Sequence, residues 1–207
     1  MQPEGGSVIA APPVTGKRPG AGIGSMAPSR DIWVFGYGSL MWRPGFAFAA
    51  RHAALLRGYH RSFCVYSHHY RGTPDRPGLV LGLEPGGACL GVAFRVAAAR
   101  ADDTLAYLDA REIPHEVYRR RLVPVEVHGG RRRRVMAYTY VVRRDHVQYA
   151  GRLPVARAVE LVLQGHGRSG PAHEYLENTV THLEDMGLRD PRLHDLLVRV
   201  RERRAGG

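Results

Sequence analysis

An α+β fold, a β-barrel or strongly curved sheet with helices between and after its strands, is what this sequence predicts. Three observations carry it. Six segments between Ile32 and Val142 are rich in β-branched, aromatic and leucine residues and are bounded by Gly or Pro. Helical periodicity marks residues 99–112 and returns after Pro154. The 207 residues, 44% hydrophobic and 24% charged, suit one domain with a real core and are too few for two ordinary ones. That domain is expected over 31–204. Residues 1–30, rich in Gly, Pro, Ala and Ser without periodicity, are expected to be a disordered extension, and Met26 offers an alternative start of translation just before the patterned chain.

The expected strands are Ile32–Tyr37, Leu55–His69, Leu79–Leu83, Cys89–Val96, Val117–Val127 and Val135–Val142, the last two joined as a hairpin across HGGRRRR. A helix over Ala99–Glu112 is stopped by Pro114. The next opens with Pro154 at a favoured first position, places Val155, Ala158, Val159 and Val162 on one face and stops at Gly165. A third spans Pro171–Met186 before Gly187. The last puts Leu193, Leu196, Leu197 and Val200 on one side and Arg199, Arg201, Arg203 and Arg204 on the other, a solvated face.

A formal charge of +11 and a pI near 10.3 favour nucleic acid, an anionic surface or a small acidic substrate. Neither an aromatic stacking platform nor a groove-entering helix accompanies the Arg131–Arg134 run, so no nucleic-acid partner is expected and the run reads as a solvated hairpin flank. No apolar run approaches the twenty residues of a membrane span, and no secretory leader pattern opens the chain. Cys64 and Cys89 stand apart without CxxC spacing, which suits a reducing compartment and a cytoplasmic location. His68, His69, His166, His173 and His182 show no HExxH spacing, so no metal site is expected. No feature of the sequence sets an oligomeric state.

WVFGYGSLMW, from Trp33 to Trp42, has two glycines of a dinucleotide fingerprint, but Met41 occupies the third glycine site and no acidic residue follows at the required distance. It has no P-loop Lys-Ser/Thr pair, and Ser39 lacks the GxSxG context of a nucleophile elbow. What remains is a strand running into the turn Gly36-Tyr37-Gly38-Ser39. Its glycines permit positive φ and leave successive N–H groups in a concavity that suits a carboxylate or oxyanion. In ADDTLAYLDAREIP, Leu105, Leu108 and Glu112 share a helical face, which puts a carboxylate where burial would raise its pKa toward the range of a general base. The alternative, in which Glu112 lies past the last turn and pairs with Arg111, Arg119 or Arg120, stays open.

These segments together resemble the ChaC branch of the γ-glutamylcyclotransferases over Asp31 to Arg203. WVFGYGSLMWRPGF is similar to the family's substrate loop, RGTPDRPGLVLGLEPGG to its central strand pair, YLDAREIP to the Arg-Glu pair bearing its catalytic carboxylate, and GPAHEYLENTVTHLEDMG with LHDLLVRVR to its closing helices. The resemblance implies a mixed β-barrel flanked by helices. It also implies conversion of glutathione to 5-oxoproline and Cys-Gly by attack of the γ-glutamyl amine on its own γ-carbonyl, with no cofactor and no metal. It assigns Glu112 as general base and acid, Tyr37, Gly38, Ser39 and Leu40 as donors to the glutamyl moiety, and Tyr118 and Tyr175 as pocket tyrosines. Two departures stand out: Glu116 replaces a glycine and supplies a rival carboxylate, and Ala172 replaces an asparagine. Turnover of other γ-glutamyl amines, or a barrel scaffold binding nucleic acid through its arginines, are the competing readings.

Overall fold

A computed structural model describes residues 30–113, 116–129 and 132–206. The expected disordered extension, the alternative start at Met26, the Pro114 helix stop and the first arginine of the Arg131–Arg134 run lie outside those residues.

The architecture is α+β: a closed five-stranded barrel flanked by four helices. Strands β1 (Ile32–Gly36), β2 (Ala50–Ser67), β3 (Gly78–Val96), β4 (Tyr118–Val127) and β5 (Arg133–Val142) close in the order β1-β3-β2-β4-β5. All neighbours are antiparallel except β1 and β5, which pair in parallel at Trp33–Ala137 and Val34–Tyr138. β1 is buried along its whole length, which explains its unbroken apolar run. Val34, Leu56, Phe94, Val125 and Ala137 are among the side chains that fill the core.

Five strands, not six, make the barrel. Leu79–Leu83 and Cys89–Val96 belong to one strand, because Glu84–Gly87 stays in the ladder with β2 as a bulge. Between Tyr59–Pro85 and Arg57–Ala88, β3 carries one extra residue, accommodated by Gly86 (φ 103°) and Gly87 (φ 71°). β2 likewise begins at Ala50, five residues before its strongly apolar part, because β3 is long enough to pair with it.

Helix α1 (Ala101–Glu112) buries Ala101, Thr104 and Leu108. Its last turn is tied to the barrel by Asp109, which accepts from Tyr140 Oη at 2.8 Å and pairs with Arg120 at 2.6 Å. Helices α2 (Val155–Gln164), α3 (Ala172–Asp185) and α4 (Pro191–Ala205) pack together beside β3, with a two-residue hairpin, β6 (His166–Gly167) and β7 (Gly170–Pro171), between α2 and α3. The four apolar positions expected on α4 are all buried. Val155, expected on the buried face of α2, is 46% exposed, because the core begins only at Ala158. Among the described residues no helix is long and apolar enough to cross a membrane.

Candidate active site

β1 leaves the barrel at Gly36, and Tyr37 and Gly38 lead into a 3-10 turn over Ser39–Met41. The Met41 amide bonds the Gly38 carbonyl at 2.9 Å and the Arg43 amide bonds that of Ser39 at 2.8 Å. Amides at the head of such a turn have no carbonyl of their own turn to bond and so face outward as donors. Neither Gly36 nor Gly38 has positive φ, contrary to the expectation from sequence. Gly36 makes room for a close approach, while a Cβ on Gly38 would meet its neighbours at ordinary contact distance. A Cβ on Gly36 would lie 3.0 Å from Leu40 Cβ, and one on Gly38 would lie 3.4 Å from Leu81 Cδ1 and 3.8 Å from Tyr175 Oη.

Glu112 continues the buried face of α1 one turn beyond Leu108 and is the helix's last residue. Burial pushes its carboxyl above the usual carboxylate range, and the Arg111 guanidinium, 3.1 Å away, pulls it part of the way back. Both sequence readings therefore hold in part: the carboxylate is desolvated and it also pairs with Arg111. Arg111 joins the helix end to the turn, donating to Ser39 Oγ at 3.0 Å and to the Arg43 carbonyl at 2.7 Å. The Ser39 hydroxyl thus anchors a guanidinium.

Tyr37, Tyr118 and Tyr175 gather round the same point. Burial raises each phenol, and the negative charge of Glu112 raises each further, Tyr175 being pushed up to about 12. All three stay neutral hydroxyls at physiological pH. Tyr118 Oη donates to the Leu81 carbonyl at 2.6 Å. Tyr37 was valued in the sequence for its amide, but its buried side chain belongs to this cluster as well.

A cleft of about 720 Å³ opens over these groups, and Tyr37, Gly38, Ser39, Leu40, Glu112, Tyr118 and Tyr175 all line it. Glu116 is not among its lining residues. At φ 55° its exposed side chain turns toward Arg143, 3.4 Å away. Ala172 is fully buried at the start of α3, its amide bonded to the Gly165 carbonyl at 2.8 Å, and the amide side chain that reaches the cleft from α3 is Asn178. His68, His69 and His182 line the cleft; His182 stacks on Trp42 at 4.6 Å between ring centroids. Among the described residues no group of three His, Cys, Asp or Glu side chains is placed to hold a metal ion.

Sequence reasoning did not single out Arg71, Tyr140 or Asn178 as cleft residues. For Arg71 a signal existed in the Gly- and Pro-rich RGTPDRPG segment, a long connection inside a compact fold. Tyr140 sits in an ordinary strand pattern that carries no such mark.

A glutathione-specific γ-glutamylcyclotransferase from Escherichia coli (strain K12) is 32% identical over 171 residues, covering 83% of this chain and 73% of that protein. A protein of the same description from Schizosaccharomyces pombe (strain 972 / ATCC 24843) is 31% identical over 169 residues, covering 73% of this chain and 82% of that one. Among solved structures, a yeast γ-glutamyl cyclotransferase specific to glutathione superimposes with a TM-score of 0.76 at 24% identity, over 84% of this chain and 99% of that chain, which shows a shared fold. Residues 32–203, the whole barrel and all but the end of α4, match the family described as ChaC-like protein, and this chain belongs to that family.

Proposed function

We propose that this chain is a glutathione-specific γ-glutamylcyclotransferase, releasing 5-oxoproline and Cys-Gly, and that it works in the cytoplasm. The observation that carries the reading is that the desolvated Glu112 carboxyl and the Tyr37–Leu40 turn line one cleft. The names of the relatives point the same way, and two free, buried cysteines suit a reducing compartment.

The substrate's α-amine is protonated at neutral pH and cannot attack. Glu112, its pKa raised by burial, takes that proton. The freed nitrogen bonds to the γ-carbonyl carbon of the same glutamyl group, and the carbonyl electron pair moves onto oxygen. The turn amides hold the glutamyl carboxylate or this oxyanion, and a donor so placed contributes ~3 kcal/mol. As the carbonyl re-forms, the bond to the cysteinyl nitrogen breaks, the proton returns from Glu112 to that leaving amine, and the ring nitrogen gives up its second proton, which the released amine takes up to leave as an ammonium. Because nucleophile and electrophile share one molecule, holding the chain folded supplies part of the ~7–11 kcal/mol available from proximity. The tyrosine hydroxyls of the cleft remain neutral and serve as hydrogen-bonding partners.

The test is to incubate purified protein with glutathione, without added metal, and to measure 5-oxoproline and Cys-Gly in equal amounts. Absence of both products, or conversion of γ-glutamyl amino acids in preference to glutathione, overturns the reading.

A further inference from the structure

The ring-closing chemistry occupies only the end of the cleft at Glu112. The same cleft is also lined by the segment after β2, which carries Arg71, and by Glu174 and Tyr175 at the start of α3. The Arg71 guanidinium packs 5.3 Å from the centre of the Tyr175 ring, and its Nη1 donates to the Pro171 carbonyl at 3.2 Å. Among the described residues it makes no ion pair within 4.0 Å. Partial burial lowers its pKa, and Arg43 adds a like charge nearby, while Glu174 and Tyr175 oppose the shift. A half-desolvated cation without a paired carboxylate is a receptor for an anion.

The backbone here is clamped. A Cβ on Gly165 would lie 2.5 Å from the Arg71 carbonyl oxygen and 2.4 Å from Gly78 Cα, and one on Gly78 would lie 2.1 Å from that same oxygen. The Arg71 amide donates to Ser67 Oγ at 2.9 Å. Glycine-packed contacts of this kind hold the base of the side chain rigidly, which lowers the entropy lost on binding.

Position follows from Tyr175. Glu112, Tyr175 and Arg71 line one cleft, the charge of Glu112 raises the Tyr175 phenol, and the ring of the same tyrosine carries the Arg71 guanidinium. Beyond its scissile amide, glutathione has two residues that reach at most ~7 Å and end in a carboxylate. Its other carboxylate is attached next to the amine that Glu112 serves, and so stays with that amine at the Glu112 wall of the cleft.

We propose that Arg71 takes the terminal carboxylate of the peptide leaving group and thereby sets specificity for γ-glutamyl dipeptides that end in a free acid. The assignment rests on the cyclotransferase reading of the same cleft. It makes the enzyme a reader of charge at both ends of its substrate, with the reacting amide held between two cation-bearing walls.

The experiment compares glutathione with its glycinamide analogue, identical but for the terminal charge. Wild-type enzyme is expected to favour glutathione by at least ~10-fold in kcat/KM, on the scale of one charge-assisted hydrogen bond. Arg71→Gln is expected to raise KM for glutathione, to leave turnover of the amide nearly unchanged and to abolish the preference. An unchanged preference in Arg71→Gln, or equal loss on both substrates, overturns the assignment while leaving the cyclotransferase reading intact. Failure of wild-type enzyme to convert either substrate sinks that reading, and the assignment with it. Should the variant fail to fold, inhibition of the wild-type enzyme by Cys-Gly and by Cys-glycinamide decides the matter: Cys-Gly is expected to bind at least ~10-fold tighter, and equal inhibition overturns the role of Arg71.

Discussion

Two carboxylates lie inside this protein under opposite arrangements. Glu84, 6% exposed on β3, accepts a hydrogen bond from Tyr149 Oη, while Arg144 donates to that hydroxyl at 3.1 Å and sits 3.9 Å from the carboxylate. Glu112, its side chain 21% exposed, meets the single cation Arg111 and otherwise faces a cleft lined by tyrosines. Glu84 accepts from a hydroxyl of the fold and does not line the cleft, so it contributes to stability and is not offered to a substrate. A carboxylate that is desolvated, with lone pairs turned to an open cavity, keeps the ability to accept a proton. Burial alone therefore does not mark a site; burial beside an open cleft does.

The contrast breaks most sharply at Glu112→Gln. Replacing the proposed base by its neutral isostere is expected to lower kcat by ~10²–10⁴-fold, read as 5-oxoproline released from glutathione. Stability moves the other way. Glu112's pKa in the folded protein is raised above its ordinary value of 4.5, so the stability it contributes is complete below that value and is lost as pH rises through the raised one. Above the raised pKa the ionised carboxylate is a burden that glutamine removes, and there the melting temperature is expected to hold or rise. Near-wild-type turnover in this variant would remove Glu112 from the mechanism.

The complementary substitution is Tyr149→Phe. It strips a buried carboxylate of its hydroxyl donor and is expected to cost ~1.5–3 kcal/mol of folding free energy, measured by urea denaturation, with turnover of the folded protein kept within a few-fold of wild type. Loss of activity on the scale of the Glu112 variant would erase the distinction between the two carboxylates.

Much of this contrast is legible in the sequence, and the parts that are not share a cause. Glu112 is found by counting along a helix from Leu105 and Leu108, although the structure buries Thr104 with Leu108 and leaves Leu105 half-buried. The Tyr37–Leu40 turn is found because paired glycines punctuate an apolar strand, although neither has positive φ and it is Gly36 that permits a close approach. Glu84 is invisible as a buried acid: it opens EPGG, whose local chemistry says strand end, and only pairing with Tyr59 and Arg57 on β2 keeps that stretch in the ladder. For Arg71 the sequence marks the RGTPDRPG connection but not its place in the cleft, since Gly78 and Gly165, far apart in the chain, bring its backbone there. Features set by residues within a turn or two can be read from a single sequence; features set by which distant backbones touch cannot.

The finest division lies within the Glu112 wall itself, between its carboxylate and the neighbouring guanidinium. Arg111 does two things: it ties the end of α1 to Ser39 and the Arg43 carbonyl, and it holds the pKa of Glu112 below what burial alone would set. Arg111→Met keeps the bulk and removes both. Loss of the tether lowers kcat/KM at every pH, because a misplaced turn costs the same whatever the protonation state. Loss of the positive charge lets burial act unopposed on Glu112, so a proton is held more tightly and a higher pH is needed to expose the base. The acidic limb of the kcat/KM profile for glutathione is therefore expected to move upward in pH, while in Ser39→Ala, which removes one tether and leaves the charge, it stays near its wild-type position. A limb that stays in place or moves downward in Arg111→Met would make the ion pair a mechanical joint only, and would mean that some other group sets the protonation of the base.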